Sequence, residues 1–384
     1  MSTWWVAEDD LDEDQLRVIT LEVDGRYLVS GPPGSGKTNL LLLRASYLEK
    51  KQHSDYQILG FTRSLGWFLR SAPPKYEIPP DRVDTAMGWM MKKLKELGGT
   101  LNGLPTDFTD KRNELAERIL NRLQDLKQST LHKTILLDEA QDFTPKEMEL
   151  FFHAANNLFI VGDKRQLIYG GEATLGTAEK LVQNENIYKL RYHYRNSPDI
   201  CKMADRFAKE EDGHAPMHPT CNYKSDFDGR VSQHSMNKQE QFRTVLNRLE
   251  TQLLAYPKEP LGVISPTLAI HKEFWSYLHH NADLLAKANN LGDSDQIWSP
   301  NRRITVAPIY QAKGLEFRAV HLPCLDKYKG MPHPRAKAYT AITRAKSALD
   351  IYYENPLPGW IQDALRDPTD IQDEPTIASL FGDS

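Results

Sequence analysis

Short runs of apolar residues, each ending in a small, hydroxyl-bearing or acidic residue, mark out the first half of the chain. The runs at 27–30, 57–62, 134–137 and 158–161 carry no charge along their length. Apolar residues unbroken over such a length predict strands buried on both faces. Residues 39–48 are apolar nearly all round and predict a buried helix. Leu115, Ile119, Leu123 and Leu126 recur at helical spacing, after a proline-punctuated stretch, and predict a helix facing a core. At 190–197 the pattern predicts a strand that breaks into a helix, capped by Asn196 or Ser197 ahead of Pro198.

The turn between the first strand and the 39–48 helix reads Gly-Pro-Pro-Gly-Ser-Gly-Lys-Thr over 31–38. This fits the P-loop pattern G-x-x-x-x-G-K-[ST]. Backbone N–H groups around Gly34, Ser35 and Gly36 can curl about phosphate oxygens, Lys37 can reach the terminal phosphates, and the Thr38 hydroxyl can hold Mg2+. A strand before the loop and a helix after it place the anion at a helix N-terminus. The expected ligand is a nucleoside triphosphate.

The ends of the other strands carry matching chemistry. The 134–137 strand runs into Asp138-Glu139-Ala140-Gln141-Asp142, where Asp138 suits Mg2+ and Glu139 suits orienting or deprotonating the attacking water. The 158–161 strand ends in Gly162-Asp163-Lys164-Arg165-Gln166, and Gln166 at such a tip can report on the terminal phosphate. The 57–62 strand ends in Phe61-Thr62-Arg63-Ser64. They suit either the phosphates of a longer ligand or a plain strand-to-helix turn. Gln15, a short helix ahead of the P-loop strand, is read either as a surface glutamine or as an amide that pairs with adenine. Tyr194 beside Arg195 offers a ring for stacking and a guanidinium for phosphate.

Length and charge bound these readings. With 384 residues and 40% hydrophobic content, the chain is expected to form two lobes, each with its own core. The net charge of -4 requires any nucleic-acid site to be a local groove rather than a property of the whole surface. Cys201, Cys221 and Cys324 are odd in number and scattered, which suits reduced thiols. With no apolar stretch long enough to span a bilayer, a soluble cytoplasmic protein is expected.

Taken together and in order, these segments resemble the UvrD/Rep-like superfamily 1 helicases. The likeness continues through Gly-Val-Ile-Ser-Pro-Thr at 262–267, Gln-Ala-Lys-Gly-Leu-Glu-Phe at 311–317 and Ala-Tyr-Thr-Ala-Ile-Thr-Arg-Ala-Lys at 338–346. The resemblance implies an α/β fold of two RecA-like P-loop NTPase domains with ATP and Mg2+ in the cleft between them. The implied division is 1–189, with a small helical insertion at about 71–132, then 190–356, with a helical insertion at about 204–260, and an acidic tail at 357–384. By resemblance, Gln15, Asn39, Tyr194, Gly314 and Glu316 join the P-loop in holding nucleotide, with Tyr194 near the adenine and Glu316 at the ribose. Arg195 and Arg344 would act as arginine fingers, so that hydrolysis requires the lobes to close. Phe61, Thr62, Arg63, Tyr169, Tyr310 and Lys313 would contact nucleic acid. The implied track is single-stranded DNA, with RNA left open, and the implied polarity is 3' to 5'.

The departures from the family are specific. Asn39 stands where an arginine is common, and Gly170-Gly171 stands where a base-stacking aromatic is usual, a contact worth roughly 1 to 3 kcal/mol per base. Pro308 and Tyr310 replace a threonine and a histidine. The insertions are short, which predicts a stripped motor core that unwinds long duplexes poorly. Two functions are expected to compete: a motor working with a partner such as a nuclease in repair or anti-phage defence, and an ATP-gated switch subunit of a larger complex. His214, His218 and Cys221 are read either as three zinc ligands or as an exposed loop. The segment 377–381 is read as a partner-docking plug or a frayed terminus.

Overall fold

A computed structural model describes residues 11–61, 76, 78–168, 174–208, 216–224, 229–292, 298–299 and 301–366. Thr62, Arg63, Ser64, Tyr169, Gly170, Gly171, His214 and the 377–381 segment lie outside the described residues.

Two six-stranded sheets, with every pairing parallel, organise the described residues. The first contains β1 (Arg26–Ser30), β2 (Tyr56–Gly60), β3 (Val83–Thr85), β4 (His132–Leu137), β5 (Ala155–Gly162) and β6 (Ile187–Lys189), in the order β3-β2-β4-β5-β1-β6. Its helices are α1 (Glu13–Ile19), α2 (Lys37–Lys50), α3 (Ala86–Glu96), α4 (Phe108–Asp125), α5 (Pro145–Ala154) and α6 (Thr174–Leu181). Alternate strand residues face opposite ways, as a period of two requires. Val29, Ile58, Leu136 and Phe159 join the α2 leucines in one core. Leu28, Leu59, Leu137 and Ile160 join Trp89, Leu115, Ile119 and Phe151 in another.

The described part of 71–132 packs onto this sheet. It supplies the edge strand β3, and α3 and α4 cover one face of the sheet. Leu126 is not a core residue: α4 ends one position earlier, and Leu126 is 50% exposed. The strand expected within 190–197 stops at Lys189, and Ser197 caps the next helix through its backbone alone. Asn196 is turned inward, and its amide donates to the carbonyls of Thr343 and Ala345 at 3.0 and 2.6 Å.

The second sheet contains β7 (Arg230–Ser235), β8 (Leu261–Ser265), β9 (Ala288–Asn290), β10 (Ile304–Pro308), β11 (Phe317–Leu322) and β12 (Ala345–Tyr353), in the order β7-β12-β11-β8-β10-β9. One face is covered by α7 (Pro198–Phe207), α10 (Pro334–Ile342) and α11 (Gly359–Leu365). The other is covered by α8 (Lys238–Ala255) and α9 (Leu268–Leu278). The described part of 204–260 carries the edge strand β7 and the covering helix α8. The architecture is α/β, two RecA-like parallel sheets flanked by helices. No helix among the described residues is long and apolar enough to cross a membrane.

Candidate nucleotide site

In a parallel sheet the strand ends share one edge, and β4, β5 and β1 are neighbours, so the loops after them converge there. Gly34 and Gly36 take φ of +76° and +82°, the left-handed region that lets the loop curl. A Cβ on Gly36 would lie 2.8 Å from Gln15 Nε2, and one on Gly34 would lie 2.5 Å from Arg195 Cβ. The loop is thus gripped from both sides. Lys37 Nζ donates to the carbonyls of Gly31 and Pro32, each at 2.8 Å, and burial brings its pKa down to about 8. The Ser35 hydroxyl is buried without a hydrogen-bond partner.

Gln15 is 3% exposed and is not a surface residue. Its Nε2 donates to the Ser35 carbonyl at 3.0 Å, while Asp12 and Gln15 exchange the two bonds of a capping box at the start of α1. Asn39 is also occupied, accepting from the Tyr76 hydroxyl at 2.8 Å. The Tyr194 backbone N–H donates to the Gly34 carbonyl at 3.1 Å, and its hydroxyl donates to Asp12.

Beyond β4, Thr38 Oγ1 donates to Asp138 Oδ2 at 2.9 Å, and Asp138 Oδ1 accepts the Glu139 N–H at 2.8 Å. Burial first, then the neighbouring Glu139 charge, pushes Asp138 up to about 7. Glu139 adopts φ +54° and accepts from Gln141 Nε2 at 2.5 Å. Burial opposes its ionisation, but Lys313, Arg344 and Lys37 outweigh that and hold its carboxyl below the usual range. Asp163 is held at about 2: burial works against the charge, and Arg165 and Lys37 prevail. The Asp163 carboxylate accepts from Arg165 Nε at 3.0 Å and Gln166 Nε2 at 2.9 Å, so it fixes Gln166.

The second sheet contributes cations to this edge. Arg344 Nη2 donates to Gln166 Oε1 at 2.8 Å, and its other nitrogens donate to the Thr340 and Leu315 carbonyls. Arg195 pairs with Glu316, which also lies 3.7 Å from Lys346. Glu316 therefore faces a guanidinium in this structure rather than open space. Gly314, beside Lys313, takes φ +81°.

Lys313, a nucleic-acid contact by resemblance, is buried in the acid cluster in this structure. Its ammonium contacts Asp142, donates to the Gln166 carbonyl at 2.6 Å and lies 3.7 Å from Glu139. Buried acids demand a counter-ion, and Lys313 supplies it. Phe61 is half-buried, with the Arg112 guanidinium 4.6 Å from its ring centre and Phe143 and Phe108 at 5.9 and 6.3 Å between centroids. Those three side chains hold the Phe61 ring from the lobe's side. Tyr310 is partly buried against the core of the second sheet.

Sequence reasoning passed over Arg112, Gln141, Asp142 and Asp163. Arg112 forms a buried pair with Glu147 and donates to the Asp142 carbonyl at 2.8 Å, so it sets the turn that carries the acids. Gln141 bridges Glu139 to the Asp163 N–H, the latter at 2.9 Å. The available signal was their place inside the two strand-end motifs; Arg112 had none. Of the residues read as either zinc ligands or an exposed loop, His214 lies outside the described residues, His218 is exposed, and Cys221 lies with His193 and Cys201.

Two family models match the chain. The UvrD/REP helicase N-terminal domain covers 90–182, and the UvrD-like helicase C-terminal domain covers 303–352. The first span includes Asp138, Glu139 and Gln166, and the second includes Lys313, Glu316 and Arg344. No curated protein matches. Among solved structures, the chain is similar to the C-terminal domain of a possible DNA helicase from Lactobacillus plantarum WCFS1. The identity is 17%, over 44% of this chain and 93% of that one, with a TM-score of 0.34.

Proposed function

The chain belongs to the UvrD-like helicase family, nucleic-acid-dependent ATPases that use ATP with Mg2+, and from that premise we propose that it translocates on or remodels single-stranded DNA. In this reading Lys37 holds the terminal phosphates, Thr38 and Asp138 hold Mg2+, and Glu139 takes the proton of the attacking water. Gln166 senses the terminal phosphate, and Arg195 and Arg344 stabilise the charge that develops in the transition state. Gln15 and Tyr194 flank the adenine, and Glu316 releases Arg195 as it turns to the ribose.

One observation carries the proposal: Arg344, from the second sheet, donates to Gln166, from the first, at 2.8 Å. A phosphate sensor bonded directly to a finger arginine can transmit nucleotide state to lobe position. Lys313 makes a second such link. The track is proposed as single-stranded DNA moved 3' to 5', in the cytoplasm, with a nuclease as working partner in repair or defence.

The test is the ATPase rate of purified protein with and without single-stranded DNA or RNA. Stimulation of about tenfold or more by DNA is expected, and an unchanged rate with either polymer refutes the motor. A second reading, an ATP-gated switch subunit, is favoured by Gly170-Gly171 in place of a stacking aromatic. It predicts stimulation by a protein partner alone. Displacement of streptavidin from one DNA end or the other reads the polarity, and little unwinding of long duplexes is expected.

A further inference from the structure

His193, Cys201 and Cys221 meet in the interior, beside the segment that carries Tyr194 and Arg195. One ring nitrogen of His193 and the two sulfurs all lie within 4.8 Å of one another, and no other His, Cys, Asp or Glu among the described residues joins them. Three separate pieces of chain deliver them. Cys201 sits in α7. His193 and Cys221 are held side by side by a parallel bridge, in which the His193 N–H donates to the Thr220 carbonyl and the Asn222 N–H donates to His193 at 2.8 Å. His193 and Cys201 are fully buried. Both thiols point at a single acceptor, the Asn196 carbonyl, at 3.5 Å from Cys201 and 3.2 Å from Cys221.

We propose that His193, Cys201 and Cys221 form a structural site for a thiophilic divalent cation, zinc by preference, with the Asn196 carbonyl or a water in the fourth position. Zn–S bonds of about 2.3 Å and Zn–N bonds of about 2.0 to 2.1 Å in a tetrahedron put ligand atoms roughly 3.5 to 3.8 Å apart. Cys201 Sγ is already 3.8 Å from His193 Nε2. Closing the remaining separation needs a contraction of at most about 1.3 Å, since the cluster limit is 4.8 Å. Two soft sulfurs and an imidazole select zinc over magnesium or calcium. Charge favours it as well. Two thiolates and one divalent cation sum to zero, so the ion enters a buried site without leaving net charge there, while each thiol gives up a proton to solvent.

The His193 ring must adjust. Nε2 now lies 2.8 Å from the Met217 carbonyl, while Nδ1 is buried without a hydrogen-bond partner. A bound cation would give a ring nitrogen a second strong partner. The location gives the site a use. His193 lies two residues before Arg195, whose Cβ abuts Gly34 of the P-loop. A metal here would tie the segment joining the two sheets to α7 and hold the approach of Arg195 to the nucleotide. The site stands independently of the track or polarity proposed above.

The experiment uses the full chain, reduced and freed of metal by chelator, titrated with Co2+ and then Zn2+. Expected are a thiolate-to-cobalt charge-transfer band saturating at one metal per chain, its loss on adding Zn2+, and release of about two protons per metal. C201S and C221S should each abolish the two-thiolate band, and H193N should weaken binding by about tenfold or more. C324S, a buried cysteine outside the cluster, should leave it intact. Zn2+ should raise the melting temperature of the wild type and of C324S but not of C201S. No band with excess Co2+, or a band that survives both C201S and C221S, overturns the site, as does a Cys201–Cys221 disulfide in protein purified with Zn2+ present.

Discussion

Replacing Asp138 by asparagine is expected to stabilise the protein at neutral pH while ending ATP turnover. The carboxyl is buried beside Glu139, and both effects favour its neutral form, raising it from 3.8 to about 7. A carboxyl raised in the folded state contributes stability that is fully present below its unfolded pKa and is lost as pH climbs toward the folded one. Each pH unit in that window is worth about 1.4 kcal/mol. Asparagine is neutral throughout and keeps the local bonds, since its oxygen can accept the Glu139 N–H and its amide can donate to the Thr38 hydroxyl. The stability difference between D138N and wild type should therefore grow by about 2 to 3 kcal/mol between pH 5 and 8. For a lobe of this size, that is about 4 to 12 °C in melting temperature. Thermal melts of both proteins at the two pH values, without nucleotide, provide the measurement. Mg2+ with ATP should narrow the gap, because a cation at Asp138 removes the penalty in the wild type alone. A gap that stays constant with pH, or a D138N protein less stable at pH 8, would refute the reasoning.

Three further outcomes follow from the same geometry. R112A leaves Glu147 buried without its partner, and urea denaturation should show a loss of about 3 to 5 kcal/mol. K313M removes the first of the cations that hold Glu139 below its usual range, so the acid limb of the ATPase pH–rate profile should move to higher pH; an unmoved limb would separate Lys313 from Glu139. G34A places a methyl 2.5 Å from Arg195 Cβ at a φ of +76°, and fluorescent-nucleotide titration should show at least about tenfold weaker binding.

The legible parts of this molecule were those written in contiguous residues. Apolar runs ending in Asp138, in Gln166 or in the P-loop announced buried parallel strands and the chemistry at their tips, because a strand's end fixes where the next few side chains go. Contacts made across the fold were not legible. Taken alone, Gln15 stayed open between a surface residue and an adenine partner, because nothing local shows that α1 lies against the loop around Ser35. The buried pairing of Lys313 was not legible because its partners are about 150 to 170 positions earlier and the sequence does not show the two sheets meeting. The His-x-x-x-His-x-x-Cys spacing drew attention to Cys221 but gave no hint of His193 or Cys201 beside it. A backbone bridge, not spacing along the chain, sets Cys221 beside His193.

Lys313 with Asp142, Arg344 with Gln166 and Arg195 with Glu316 together explain why the meeting edge of the two sheets is polar. A hydrophobic seam of the same size would hold the lobes shut in every nucleotide state, since burial of apolar area is favourable whatever fills the cleft. Buried ion pairs behave differently: the attraction gained roughly offsets the hydration lost, leaving closure close to balance. An interface near balance responds to a small added term, and a bound triphosphate with its metal alters the charge seen by Lys37, Glu139 and Arg344 together. Arg195 has two competing acceptors in such a scheme, Glu316 in the present state and a phosphate oxygen in the loaded one. In the proposed scheme, the exchange of one for the other would let hydrolysis be felt at the second sheet.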